Sequence, residues 1–288
     1  MTVSLASLDD LVAEIGNGCR LALPPDYSGC AMSAVARLVE RGPRDLHLIG
    51  VPTGGLQFDW LIGAGAVSTV EVAAMTLGEF GVPPRFAEAF RSTSIKTIDG
   101  TCPAIQAGLQ AAEKGIPFMP LRGIIGSDLL NHRSDWKVVD NPMAAAGDPI
   151  VLISAITPDV TLFHASACDR NGNVWIGVRR ELMLMAHASR KVLVTVEDVV
   201  DTDFLADELR APGTIPALYV DRIAVAHRGG DPVGLAGRYE PQSDVISSYA
   251  RAARTTEGFA AWMQDALGIT IEADSVRRRE PVPSSATP

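Results

Sequence analysis

The chain has 288 residues, 47% of them hydrophobic and 20% charged, with a formal net charge of -9. That length and apolar content exclude a mini-protein or a largely disordered chain, and the acidic balance argues against a nucleic-acid binder, which presents a basic surface. Small anionic ligands stay open, because a local basic or helix-terminal site can sit inside an acidic protein.

Met1 to Asp10 carries two acids and no basic segment, so no signal peptide is expected. Arg20–Leu23 reads as a strand, followed by the turn Pro24-Pro25-Asp26-Tyr27-Ser28-Gly29. Ala31 to Arg41 then has helical periodicity, with Met32, Val35, Leu38 and Val39 on one face. Asp45 to Val51 is the next strand and runs into Pro52-Thr53-Gly54-Gly55, before a short apolar helix over Leu56 to Ala64. A third strand over Val70 to Thr76 leads into Leu77-Gly78-Glu79-Phe80-Gly81. Pro84 to Arg91 reads as a helix, Ser94 to Ile98 as a strand, and Pro103 to Lys114 as a helix ended by Gly115. Asp159 to Ala167 and Asn173 to Gly177 alternate with period two around Asn171-Gly172, a hairpin signal. Glu181 to Ala188 is helical, Lys191 to Val196 a buried strand, and Ser243 to Leu267 one or two closing helices with Tyr249, Phe259 and Trp262 inward.

Strands alternating with helices imply βαβ units. The expected fold is therefore α/β: an open, mainly parallel sheet with helices on both faces plus an antiparallel hairpin. It forms a single domain over residues 1–270, and residues 271–288, basic and then Pro/Ser-rich, are expected to be a flexible tail. Cys19, Cys30, Cys102 and Cys168 sit in apolar runs with no CxxC pair, which reads as reduced, buried thiols in the cytoplasm. No apolar run reaches the ~18 residues of a membrane span. The five histidines are scattered singly without metal-ligand spacing, so no metal is expected, and His164, in mid-strand, reads as structural.

In such a sheet, ligands bind beyond the carboxyl ends of the strands. The Gly54-Gly55 pair precedes a helix, and its bare backbone can approach an oxyanion, a thioester carbonyl or a phosphate, or can simply make a tight turn. Glu79 and Asp99 are acids at strand ends among apolar neighbours, suited to act as bases, nucleophiles or substrate anchors unless they only cap a helix or face solvent. Glu197-Asp198 is a third acidic strand end that reads as a cap. Arg122, in an irregular glycine-bearing loop that continues through Gly126, Ser127 and Asp128, can hold a carboxylate in bidentate fashion. Gly63-Ala64-Gly65-Ala66-Val67 follows a helix and lacks the third Gly of a dinucleotide fingerprint.

Four segments in order carry a family resemblance: Asp45 to Gly55; Gln110 to Arg122 (QAAEKGIPFMPLR) continuing to Gly126-Ser127-Asp128; Ala167 to Val174 (ACDRNGNV); and Lys191 to Val200 (KVLVTVEDVV). Pro216 to Ile223 also fits. Over roughly residues 15 to 265 the chain resembles the α-subunit of class I coenzyme A transferases, the glutaconate CoA-transferase α-subunit group in particular. The resemblance implies a CoA-transferase-like fold, a β-type partner subunit, coenzyme A as substrate and no tightly bound cofactor. It also implies a ping-pong reaction through a glutamyl-CoA thioester on a β-subunit glutamate, near a Glu-Asn-Gly motif that this chain lacks.

It further places Gly54 and Gly55 by the reacting carboxylate, with Asp99 as a third catalytic candidate, and Arg122, Gly126 and Ser127 in a family loop that, with the strand-end acid Glu79, is expected to contact substrate. Asp99 stands where relatives carry Gln or Glu, and Gly123 replaces the more usual Ser. Two other readings remain: a CoA-thioester hydrolase of the ring-opening type, and a sugar-phosphate or effector-binding module of the same fold superfamily.

Overall fold

The computed structural model describes residues 4–144 and 147–271. Helix α1 (Leu8–Ala13) leads into strand β1 (Arg20–Leu23), helix α2 (Met32–Arg41), strand β2 (Leu46–Gly50), the two-residue β3 (Thr53–Gly54) and helix α3 (Leu56–Gly63). Next come β4 (Val67–Val72), the short β5 (Ala74–Met75), α4 (Pro84–Arg91), β6 (Lys96–Asp99) and α5 (Cys102–Glu113). A separate module follows: β7 (Phe118–Leu121), α6 (Leu129–His132), β8 (Lys137–Asp140) and β9 (Pro149–Ser154). The chain then returns through β10 (Val160–Asp169), β11 (Val174–Trp175), α7 (Arg180–Ala188), β12 (Lys191–Val200), β13 (Thr214–Ile215) and β14 (Arg222–Val225) to α8 (Ser243–Ala252) and α9 (Thr256–Leu267).

Among the described residues, nine strands form the main sheet, whose parallel part runs in the order β14-β12-β10-β1-β2-β4-β6. Alternation along the strands builds a core on each face. Leu21, Leu23 and Leu48 point to the side of α2, α3 and the closing helices, while Ala22 and Ile49 point to the side of α5 and α7. α3 is apolar around most of its circumference, and all eight of its residues are buried. Thr101 caps α5 by accepting the Ala104 N–H, and Gly115 adopts φ 65° just past the helix end.

The expected hairpin is present: β10 and β11 pair antiparallel, with Ala167 opposite Trp175. Asp169 holds its turn by accepting the Asn171 and Asn173 amides and the Asn173 side-chain amide. His164 is fully buried in β10, bonded to Thr195 and Glu197 of β12 at 2.8 Å each. Glu197 is likewise buried, accepting the Tyr239 hydroxyl and the Arg228 amide.

Four expectations need correction. Glu197 and Asp198 do not end a strand, because β12 runs on to Val200 and Glu197 is buried within it against His164. The strand expected over Val70 to Thr76 is two, because the Ala73 amide leaves the ladder to bond Pro52 O. The antiparallel sheet β7-β9-β8 has no counterpart among the expected elements. Cys102 is exposed, at the first position of α5, whereas Cys19, Cys30 and Cys168 are buried and all four are free. The tail expected over 271–288 lies, apart from Ile271, outside the described residues. No helix among the described residues is long and apolar enough to cross a membrane.

Candidate active site

The carboxyl ends of β1, β2 and β4 open onto a cleft of about 250 Å3. Its walls are Pro25 to Tyr27 after β1, Thr53 and Gly54 after β2, and Thr76 to Gly78 after β5, closed by Val233, Pro241 and Ile246. The lining is mostly apolar, and its one acid is Asp26.

Asp26 is the residue that sequence reasoning passes over. Both of its carboxylate oxygens accept the Leu56 N–H at 3.0 Å, so an acid from the β1 turn caps α3 across thirty positions of chain. A Cβ on Gly55 would collide with that carboxylate, which accounts for the glycine at the α3 N-cap. A Cβ on Gly54 would meet the Met75 sulfur and the Phe58 ring, at 2.9 Å from Phe58 Cγ. Burial pushes the Asp26 pKa up to about 6, against the lowering effect of the Leu56 amide. The expectation of bare N–H groups at this turn is thereby narrowed, since the Leu56 amide is already taken. Only the spacing of a Pro-Pro-Asp turn ahead of a Gly-Gly helix start hints at the pairing.

The other expected residues spread outward from this cleft. Glu79 is exposed on the 3-10 turn Gly78–Phe80, next to the lining residue Gly78. Asp99 ends the edge strand β6, exposed and opposite Val72 of β4, on the same carboxyl edge of the sheet but outside the cleft lining. Its backbone carbonyl accepts Arg133 Nη1 at 3.0 Å. Arg133 is buried, pairs with Glu71 of β4 at 2.9 Å and Asp135 at 2.7 Å, and lies 4.1 Å over the Trp136 ring. It fastens the three-stranded module to the end of the main sheet.

Arg122, Gly126 and Ser127 belong to that module and are not brought to the cleft lining. The Arg122 guanidinium is held by Asp148 at 2.7 Å, Gly126 turns the loop at φ 83°, and the Ser127 hydroxyl accepts the Leu129 amide. No group of metal-ligating side chains occurs among the described residues.

A family model described as Coenzyme A transferase matches residues 6–226. The A-chain of 3-oxoadipate CoA-transferase from Pseudomonas knackmussii is 28% identical over 81% of this chain and 82% of its own length. A cholesterol ring-cleaving hydrolase IpdA subunit of Mycobacterium tuberculosis is 28% identical over 93% and 94%. An uncharacterised Archaeoglobus fulgidus protein is 29% identical over 79% of this chain, which spans only 51% of that protein's length.

Among solved structures, a variant of the decarboxylase AibA/AibB superposes with a TM-score of 0.81 at 27% identity, covering 93% of this chain and 100% of the other. Glutaconate coenzyme A-transferase from Acidaminococcus fermentans superposes with a TM-score of 0.85 at 22% identity, covering 96% and 92%, a likeness of fold.

Proposed function

The chain belongs to the coenzyme A transferase family, and on that premise we propose that it is the α-type subunit of a heteromeric enzyme moving CoA between an acyl-CoA and a carboxylic acid. The observation that carries this is the glycine turn before α3, whose Gly54 lines a carboxyl-edge cleft, in a chain with no Glu-Asn-Gly motif of its own. The nucleophile then comes from a β-type partner. Its glutamate carboxylate attacks the thioester carbonyl, giving an acyl-glutamyl anhydride and CoA thiolate. The thiolate attacks the glutamyl carbonyl, giving glutamyl-CoA and releasing the first carboxylate. The acceptor acid runs the two steps in reverse.

This chain's part is the wall and the placing of the acyl carbonyl. Gly54 brings backbone to the acyl group in the cleft wall, Gly55 makes room for the Asp26 carboxylate that fixes the α3 end, and the exposed Glu79 follows the lining residue Gly78. Asp99 and the Arg122, Gly126 and Ser127 loop are outer residues that reach substrate only where it extends beyond the cleft.

The chain alone is expected to transfer no CoA, and adding the β-type subunit to restore it. Turnover by the isolated chain overturns the α-type assignment. A second reading, hydrolytic ring opening of a cyclic CoA thioester, is favoured by the 93% and 94% coverage shared with the ring-cleaving hydrolase subunit. A ring-opened acyl-CoA formed by the reconstituted enzyme from a cyclic acyl-CoA and water, without an acceptor acid, selects it.

A further inference from the structure

A second cavity, of about 260 Å3, lies at the amino end of the sheet, between the end of α3, the start of β4, α4 and the first turn of α9. Arg85 faces it. This residue is only 4% exposed, and its Nη1 is buried with no hydrogen-bond partner. Asp59 is nearby, but its carboxylate is engaged by the Arg85 and Phe86 backbone amides and the Tyr249 hydroxyl rather than by the guanidinium. Glu88, which also lines the cavity, is paired with Arg91 at 3.0 Å. A buried guanidinium donor without a partner is costly and calls for a ligand.

Two further features point the same way. The chain makes room for the Arg85 stem at Gly63, where a Cβ would lie 2.9 Å from Arg85 Cγ and 2.6 Å from Phe259 Cζ. Thr256, the first residue of the twelve-residue α9, lines the cavity, so the positive end of that helix, with its Gly258 amide already taken by the Thr255 hydroxyl, adjoins it. A planar guanidinium and a helix N-terminus share one preference, an oxyanion. The apolar walls Ile62, Val67 and Ile95 leave space beside it for a short carbon chain.

We propose that this cavity binds a small oxyanion, a carboxylate or a phosphate, through Arg85 and the α9 N-terminus. It is separate from the Gly54 cleft, at the opposite end of α3, and does not rest on the transferase reading.

The test titrates the full chain with sodium phosphate and, separately, with sodium acetate, at ionic strength held constant with chloride. Thermal unfolding and calorimetry provide the readout. A saturable rise in Tm with either anion is expected, with binding at least tenfold weaker in Arg85→Met and in Thr256→Asp. Saturation by phosphate alone assigns a tetrahedral anion, and by acetate alone a carboxylate. Thr256→Asp leaves the core untouched and suits a helix N-terminus, so it reports even where Arg85→Met fails to fold. No saturable response to either anion, or an unchanged response in Thr256→Asp, overturns the proposal.

Discussion

The Tyr249 hydroxyl donates a 2.7 Å hydrogen bond to the Asp59 carboxylate across 190 positions of chain. Asp59 also accepts the Arg85 and Phe86 amides, so one buried acid ties α3, the start of α4 and the closing helix α8 together. Tyr249→Phe removes one of its three donors while keeping the ring packed against Phe259 and Trp262. The expected loss is about 1–3 kcal/mol of folding stability, read as a lower urea midpoint at unchanged slope.

The same acid makes stability depend on pH. Burial pushes the Asp59 pKa up to about 6 from an ordinary 3.8, so the folded chain holds its proton where the unfolded chain has released it. Its contribution is therefore fullest below pH ~4 and is lost as pH rises through ~6, a change of about 3 kcal/mol in size. In Asp59→Asn that part of the profile disappears. The check is the difference between wild-type and mutant urea midpoints at pH 4.5 and pH 7.5, which should change between the two.

Gly55→Ala places a methyl group against the Asp26 carboxylate. The carboxylate must then leave the Leu56 amide, and α3 loses its cap, at an expected cost of about 1–2 kcal/mol. In the complex reconstituted with the β-type subunit, kcat should fall at least ~100-fold. Wild-type turnover would reduce the turn to scaffolding.

Arg133→Met leaves the Glu71 carboxylate buried without its guanidinium and unfastens the three-stranded module. An expected loss of about 1–3 kcal/mol follows, because His47 Nε2, 3.3 Å from the other Glu71 oxygen, still faces the carboxylate. Adding Glu71→Gln should restore part of it, and a double-mutant cycle measures how much.

Asp99→Ala tests whether the exposed end of β6 meets substrate. A fall in kcat/KM of at least tenfold, about 1.4 kcal/mol, is expected in the reconstituted complex, with an unchanged urea midpoint. An unaltered kcat/KM removes Asp99 from the site.

Much of this architecture is legible in the residues themselves. β1 and α4 fall on the expected residues, and α2 and α5 within a residue at each end, because each has a Pro or Gly boundary; α7, bounded by Arg179 and Ser189, falls within a residue on its helical pattern alone. The β7-β9-β8 sheet is hidden because Phe118–Leu121 and Lys137–Asp140 are four-residue strands, half exposed, and Phe118–Leu121 finds its partner Pro149–Ser154 only far along the chain. Gly54 and Gly55 are visible as a strand-end glycine pair. Asp26 and Arg133 are not, because their roles rest on contacts across about 30 and 62 positions, to Leu56 and Glu71.

The clamp on Asp99 has a consequence beyond the site. β6 is the last strand of the main sheet, and an open sheet edge is a template for pairing with another molecule. Here the strand is four residues long, carries an exposed Lys96, and has the Asp99 carbonyl occupied by Arg133. The guanidinium thus denies an incoming strand one of the acceptors it would use. Shelf life at high concentration, and resistance to fibre formation on storage, should depend on this one side chain more than its distance from the cleft would suggest.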